Sequence, residues 1–368
     1  MKNYRKLTAV VLVLCMLCAA LGGCGAEGTI GTTTSGQTTT TVAHTDSTAV
    51  APTPGTGLPA VTDSALLSQK DTNPTPQAVA DVPEAAKAAG FTKLAFADEF
   101  DSYDTFDFSG EGKAGYNWYV DRPYKGVTLT KEEIVLKDGV MTFAPKTCPS
   151  SIGLPTFSAK GKTGYTMHFG YAEARIRFST EEISLRSETG RNGWPSFWGV
   201  SVVDVAGEKW DRVGELDILE AHQVDGNDPH SDVIYTGTLH DHVKLEDGSQ
   251  QIATNVLNAT GAMGIQTTLD SEWHTYAALW TEGYIAWYLD GTLMHSVRFA
   301  DGEYPAHYYM DIDEPLFWNE ESEPSLKGRT WPGAQTIMNV DHMVLFLGAH
   351  ETWPIDVDWV RVWEAPAA

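Results

Sequence analysis

Three acidic residues lie among aliphatic ones in the stretch GELDILEAH, which begins at Gly214. They are Glu215, Asp217 and Glu220. Two carboxyl groups on one surface can cleave a glycosidic bond, one as nucleophile and the other as acid/base. Successive side chains of a β-strand point to opposite faces, so a regular strand would separate Glu220 from Glu215 and Asp217. The chemistry therefore requires something that brings Glu220 back into phase.

A β-bulge at Ile218 and Leu219 would restore the phase. A bulge adds one residue to a strand, and bulges are over-represented beside active sites. All three carboxyl groups would then face the same groove. Their mutual repulsion makes that arrangement unfavourable for stability, so it indicates function. The alternative is a solvated, charged strand face, which the aliphatic residues between the acids argue against.

The elements that must position this strand are themselves short strands. Between Phe91 and Trp363 the sequence consists of alternating runs separated by Gly, Asp and Asn, and no convincing amphipathic helix interrupts them. In YIAWYLDGTLMHSV, Asp290 and Gly291 join two β-rich runs, which predicts a hairpin with a two-residue turn. We expect an all-β sandwich of two packed antiparallel sheets.

Five segments in order, together with the acid motif, resemble glycoside hydrolase family 16. The pattern Glu-x-Asp-x-x-Glu is that of its bulged branch, which includes laminarinases, agarases and carrageenases. The resemblance implies a β-jelly-roll sandwich with a concave substrate cleft and a retaining double displacement. It also implies that Glu215 is the nucleophile, Glu220 the acid/base and Asp217 their assistant, whereas the spacing alone does not say which glutamate attacks. The segments are LAFADEFD (from Leu94), FGYAEARIRF (from Phe169), NGWPSFWGV (from Asn192), WHTYAALWTEGYIAWYLDG (from Trp273) and DVDWVRVWE (from Asp356).

Aromatic residues around the motif are candidates for sugar binding, because pyranose rings stack on indole faces. In WPSFW, Trp194 and Trp198 share a strand face, where both are candidates for stacking on sugar. The alternative to sugar binding is that both are buried in the core. The resemblance favours Trp194 in the cleft. It also implies that Trp118 and Arg122 belong to an N-terminal loop that binds substrate, and that His240 is a substrate contact.

We expect no cofactor and no metal centre. Asp358, together with the segment ADEFD, is a candidate for the structural calcium seen in some members of the family, and the alternative is an ordinary surface acid. His222 and His242 are interpreted as surface residues. The segment from Glu314 to Asn339 matches the family least well and is interpreted as a loop over one rim of the cleft.

The N-terminus indicates export. Basic residues precede the apolar run LTAVVLVLCMLCAALGG, which is too short for a convincing membrane span. LGGC resembles a bacterial lipobox, so we expect residues 1–23 to be a signal peptide and Cys24 to carry a lipid anchor; the alternative is an ordinary cleaved signal. Residues 24–88, rich in Thr, Pro and Ser, are predicted to be a disordered tether, and residues 89–366 the catalytic domain. Cys148 then remains alone and cannot form an internal disulfide.

The net charge of the chain limits the classes of molecule that it is expected to bind. The sequence has 25 Lys and Arg against 49 Asp and Glu, a formal net charge of -24. Such acidity disfavours nucleic acid and heavily sulfated polymers, and is compatible with a neutral polysaccharide. We expect a monomer at the extracellular face of the cell membrane, in contact with the membrane only through its lipid anchor.

The sequence thus predicts an endo-acting, retaining glycoside hydrolase for β-linked polysaccharide, with β-1,3- or mixed β-1,3/1,4-glucan as the leading substrate. Three alternatives stay open: a galactan hydrolase of the agar type, a transglycosylase with the same covalent intermediate, and a carbohydrate-binding lipoprotein without activity. A binding protein would have no reason to keep three carboxylates that repel one another.

Overall fold

A computed structural model describes the residues that form the body of the protein. The described ranges are 81–121, 128–146, 152–179, 195–210, 212–221, 234–244, 250–252, 256–259, 268–282, 284–298, 308–310, 341–349 and 353–366.

Within these ranges the chain forms twenty β-strands, two short α-helices and a 3₁₀ turn at Tyr103–Thr105. The helices are α1 (Glu84–Ala88) and α2 (Val202–Val205). The strands are β1 Lys93–Asp98, β2 Phe106–Asp107, β3 Trp118–Tyr119, β4 Ile134–Lys137, β5 Val140–Phe143, β6 Ile152–Pro155, β7 Phe157–Ser158, β8 Thr163–Gly164, β9 Gly170–Arg177, β10 Ser196–Ser201, β11 Arg212–Glu220, β12 Ile234–Lys244, β13 Gln250–Ile252, β14 Val256–Ala259, β15 His274–Thr281, β16 Tyr284–Leu289, β17 Thr292–Arg298, β18 Tyr308–Met310, β19 Met343–Ala349 and β20 Ile355–Glu364.

Two large antiparallel sheets contain most of these strands. A seven-stranded sheet runs β13-β12-β11-β10-β19-β6, with β14 also paired to β12. A nine-stranded sheet runs β18-β17-β16-β15-β9-β20-β5-β4, with β1 also paired to β20. The predicted all-β sandwich of two antiparallel sheets is confirmed, and the strand with the three acids lies near the middle of the seven-stranded sheet.

The main core lies between the two sheets and decides which way β11 faces. Leu216, Ile218 and Leu219 of β11 belong to the same buried cluster as Trp280 and Trp287 of the nine-stranded sheet. Side chains that alternate with Leu216 must therefore point away from the core. We use the term cleft face for this outer face of the seven-stranded sheet, which carries Glu215, Asp217 and Trp198.

The hairpin predicted at Asp290 and Gly291 is confirmed. Leu289 on β16 pairs with Thr292 on β17, so the connection is two residues long. Both turn residues have positive φ, 49° at Asp290 and 75° at Gly291. That backbone geometry matches the right-handed twist of the strands it joins and explains the Asp-Gly pair.

The N-terminal boundary differs from the expectation. Helix α1 falls inside the stretch predicted to be a disordered tether, yet Ala86 is fully buried in a cluster with Phe91 and Tyr171. Val82 also packs against this cluster, so the folded body begins before residue 89. The small side chains of PEAAKAAG let the helix lie close to the nine-stranded sheet. Among the described residues, no helix is long and apolar enough to cross a membrane.

Candidate active site

The bulge predicted at Ile218 and Leu219 is confirmed by the strand register. Against β12, Asp217 pairs with Thr238 and Glu220 with Thr236, so three steps on β11 match two on its neighbour. The register with β10 shifts at the same place. Ile218 and Leu219 are adjacent in sequence and both buried in the core, which a regular strand does not allow.

The three acids contact β12 with one repeating geometry. Each acid reaches the residue two positions beyond its direct partner on that strand, a diagonal that long side chains can span. Glu220 follows the same rule as the other two, so the bulge returns it to the cleft face. The contacts are Glu215 Oε2 to His242 Nε2 at 2.8 Å, Asp217 Oδ2 to His240 Nε2 at 3.0 Å, and Thr238 Oγ1 to Glu220 Oε2 at 3.5 Å.

Glu215 and Asp217 have opposite protonation tendencies. Burial alone would raise the pKa of Glu215, but the hydrogen bond from His242 and the charges of His242 and His240 leave that pKa below its ordinary value. Burial, and then the charge of Glu215, raise the pKa of Asp217 well above its ordinary value, although a hydrogen bond with Glu220 acts in the other direction. The side chain of Glu215 is 23% exposed and that of Asp217 only 2%. The surroundings thus favour the ionised form of Glu215, which solvent can reach, and the neutral form of the buried Asp217.

Glu215, Asp217 and His240 also have the spacing of a metal site, with candidate ligand atoms within 4.8 Å of one another. Each of the two acids already lies against a histidine, with Glu215 2.8 Å from His242 and Asp217 3.0 Å from His240. We therefore do not identify the members of the cluster as metal ligands.

Asp358, suggested from the sequence as a calcium ligand, lies on the outer face of the nine-stranded sheet. Its carboxylate forms an ion pair with Arg175. Glu99, from the segment ADEFD, forms two hydrogen bonds of 2.8 and 2.7 Å with Arg361. Both carboxylates are thus bonded to guanidinium groups.

Trp198 is the described aromatic candidate that lies on the cleft face. It pairs with Asp217 across β10 and β11 and is partly exposed. Its ring stacks on Phe346 of β19, with centroids 4.5 Å apart and planes 18° apart. Val200 and Val213 belong to the buried cluster on which Trp198 packs. Trp194 and Arg122 lie outside the described residues, as do Cys24, His222 and the segment 314–339.

The expectation that Trp118 binds substrate is wrong. Its indole is fully buried in the main core, between Phe96 and Phe100. The indole Nε1 donates a 2.9 Å hydrogen bond to Asp98 Oδ2, a buried carboxylate that also accepts one from Asn117. A ring with no exposed surface cannot stack on a sugar, so Trp118 is a core residue.

The interpretation of His242 as a surface residue is also wrong. Its side chain is only 11% exposed and bonds to Glu215. A signal for this was present in the sequence, because the two histidines of HDH are two residues apart and share one face of a strand. His240, on that same face, lies 3.0 Å from Asp217, and its contact with substrate stays a prediction.

A two-sheet sandwich that gathers carboxyl groups on one outer face has the architecture of a jelly-roll glycosidase. A model of the glycosyl hydrolases family 16 matches residues 121–341, more than half of the 368 residues. The chain belongs to this family of glycoside hydrolases.

Named relatives differ in what they act on. Keratan-sulfate endo-1,4-beta-galactosidase of Sphingobacterium multivorum is 22% identical over 303 residues, which cover 77% of this chain and 61% of that protein. Glucan endo-1,3-beta-glucosidase A1 of Niallia circulans is 25% identical over 179 residues, which cover 46% of this chain and 24% of that protein. The chain thus spans less than two thirds of the length of either relative.

A similar solved structure is the laminarinase catalytic domain from Thermotoga maritima MSB8, determined in complex with cetyltrimethylammonium bromide. It is 16% identical, covers 75% of this chain and 99% of its own, and superposes with a TM-score of 0.40.

Proposed function

We propose that the protein is an endo-acting, retaining glycoside hydrolase that cleaves β-linked polysaccharide, with β-1,3- or mixed β-1,3/1,4-glucan as its substrate. The observation that carries this proposal is the acid cluster. The bulge aligns three carboxyl groups on one face, and their surroundings favour an ionised Glu215 beside a neutral Asp217. Retaining hydrolysis needs one carboxyl group as nucleophile and another as acid/base, and Glu215 and Glu220 are proposed for these two roles.

Each step of the proposed reaction uses one of the two glutamates. The carboxylate of Glu215 attacks the anomeric carbon while the glycosidic C–O bond breaks, and the carboxyl proton of Glu220 passes to the departing oxygen. Water then attacks the anomeric carbon of the glycosyl ester, the bond to Glu215 breaks to release its carboxylate, and a proton of the water passes to Glu220. Asp217 stays neutral, hydrogen-bonds Glu220 and adds no further negative charge between the two glutamates.

Trp198 is proposed as a sugar-binding platform. Its ring is fixed by stacking on Phe346 and lies on the strand next to the acids, on the same face. A rigid aromatic surface beside catalytic carboxyl groups suits the apolar face of a pyranose ring.

Glucan is favoured as the substrate by the net charge of -24, because a strongly acidic chain repels sulfated polymers. A galactan is the second candidate. It is favoured by the relative of Sphingobacterium multivorum, which covers 77% of the chain and is named for a β-1,4-galactosidic bond.

The substrate can be tested by incubating the purified protein with laminarin, barley glucan, agarose, carrageenan and keratan sulfate, and by sizing the products. Glu215→Gln serves as the matched control, since it keeps the shape of the side chain without its charge. The proposal predicts short oligosaccharides from laminarin or barley glucan with the wild type only. Products from agarose or keratan sulfate alone would select the galactan candidate, and no product from any polymer would contradict the proposal.

We also propose that a lipid on Cys24 anchors the protein at the extracellular face of the bacterial cell membrane. The proposal is supported by the sequence LGGC behind a short apolar run. Catalysis at the cell surface suits a polymer too large to be taken up whole.

A further inference from the structure

His242 stands out among the polar residues that the retaining mechanism leaves without a task. It belongs to β12, directly opposite Val213, and reaches diagonally to Glu215. The distance between His242 Nε2 and Glu215 Oε2 is 2.8 Å. An ionised carboxylate can only accept hydrogen bonds, so His242 Nε2 carries the proton and donates it.

We propose that His242 is a positioning residue for the nucleophile, holding one oxygen of Glu215 so that the other faces the anomeric carbon. This inference rests on the proposed function and adds a task that neither glutamate performs. His242 does not touch the sugar in this account and acts only through Glu215.

The hydrogen bond has opposite effects on the two halves of the reaction. Glu215 is a carboxylate before it attacks and again after it leaves, but an ester in between. A charge-assisted hydrogen bond stabilises the carboxylate more than the ester. His242 should therefore restrain the attack slightly while it orients Glu215, and it should assist the departure of Glu215 from the glycosyl ester.

Among the groups around Glu215, His242 is the histidine that bonds to its carboxylate. His240 and His242 face it from β12, Asp217 lies beside it on β11, and its partner on β10 is the apolar Val200. Burial by itself raises the pKa of Glu215, and the hydrogen bond from His242 is the largest influence that lowers it. Without that bond the carboxyl group should stay protonated to higher pH.

The test compares His242→Leu, which removes the donor, with His242→Gln, whose amide can still donate from a similar position. His274→Asn is the control. His274 is also a mostly buried strand histidine bonded to a carboxylate, Asp290 at 2.7 Å, but it belongs to the nine-stranded sheet. Circular dichroism and thermal unfolding establish that each variant is folded.

With a 2,4-dinitrophenyl glycoside of the oligosaccharide that the wild type releases, His242→Leu should lose about ten- to a hundredfold in kcat, the effect of a hydrogen bond to a charged group. It should show a burst of dinitrophenol, because the ester accumulates. The acid limb of its kcat/KM profile should lie at higher pH, and His242→Gln should recover most of the loss. A folded His242→Leu with the kinetics and pH profile of His274→Asn would overturn the inference.

A second readout needs no substrate and separates this inference from the proposed function. The ¹³C carboxyl signal of Glu215, assigned by its absence in Glu215→Gln, reports its titration directly. The apparent pKa should rise in His242→Leu and stay unchanged in His274→Asn, even if no polysaccharide in the panel is cleaved. An unchanged titration in His242→Leu would contradict the role of His242 whatever the substrate is.

Discussion

The indole Nε1 of Trp287 donates a 2.8 Å hydrogen bond to the backbone carbonyl of Asp217, across the core between the two sheets. Trp287 is fully buried on β16 of the nine-stranded sheet. The register between β11 and β12 breaks directly after Asp217. A bulge disrupts the ladder of backbone hydrogen bonds, and Trp287 supplies a donor at the place where the ladder is interrupted.

Trp287→Phe should therefore loosen the bulge and with it the alignment of the acids. The change keeps an aromatic ring but leaves a buried carbonyl without this donor, which costs about 1–3 kcal/mol of unfolding free energy. We expect kcat on the preferred polymer to fall about tenfold or more, because small displacements of catalytic groups are costly. Trp363→Phe is the control, since Trp363 is equally buried but packs on the other side of the nine-stranded sheet. Equal losses of kcat in both variants would contradict a specific role for Trp287.

Trp118→Phe should lower stability without weakening substrate binding. The variant removes the hydrogen bond from Trp118 to Asp98. Burial raises the pKa of Asp98, although the hydrogen bonds that its carboxylate accepts act in the other direction. We expect a lower midpoint of thermal unfolding, equivalent to about 1–3 kcal/mol, and an unchanged KM for polymer. A KM that rises several-fold at an unchanged unfolding temperature would contradict this and would indicate that Trp118 binds substrate.

Glu173→Gln should make stability less dependent on pH. Burial raises the pKa of Glu173 to about 7 from an ordinary value of 4.5. The folded chain therefore binds this proton more tightly than the unfolded chain. The resulting stability is fully present below pH 4.5 and is lost as the pH rises through 7, a nominal change of about 3 kcal/mol. Thermal unfolding between pH 4 and pH 9 should show a decline in the wild type that is smaller in Glu173→Gln. Parallel curves would contradict the shift.

Cys24→Ala should release the protein from the membrane. If Cys24 carries the lipid, the wild type will fractionate with membranes and the variant with the medium, because a cysteine sulfur is the only lipid attachment point in LGGC. Fractionation of cells that express each form, followed by immunoblotting, measures this. A variant that remains in the membrane fraction would exclude the lipoprotein reading.

Features that depend on neighbours in sequence could be predicted. The turn at Asp290 and Gly291 needs two residues that accept positive φ, and that requirement is visible in the dipeptide itself. The bulge at Ile218 and Leu219 was equally local, because Glu220 can share a face with Glu215 and Asp217 only if one extra residue lies between Asp217 and Glu220.

Features that depend on distant partners could not be predicted. Trp118 is buried because Asp98, 20 residues earlier, offers its indole an acceptor inside the core. His242 is held by Glu215, 27 residues earlier, once the register of β11 and β12 is fixed. Helix α1 has the composition of a tether, and its burial comes from aromatic residues beyond it. In each case the position of a side chain depends on a contact with a residue that composition and periodicity do not reveal.

Azide rescue tests most directly whether Glu215 attacks and Glu220 transfers the proton. With an activated β-glycoside, Glu220→Ala should still form the glycosyl ester and then stall, because no base activates water. Azide needs no base, so it should relieve the stall and give the β-glycosyl azide. Glu215→Ala has no nucleophile, so azide should enter from the vacated side and give the α-glycosyl azide. The anomeric configuration, read by ¹H NMR, decides: a β-azide from Glu220→Ala and an α-azide from Glu215→Ala support the account. The reverse pairing, or wild-type activity of Glu220→Ala on polymer, would contradict it.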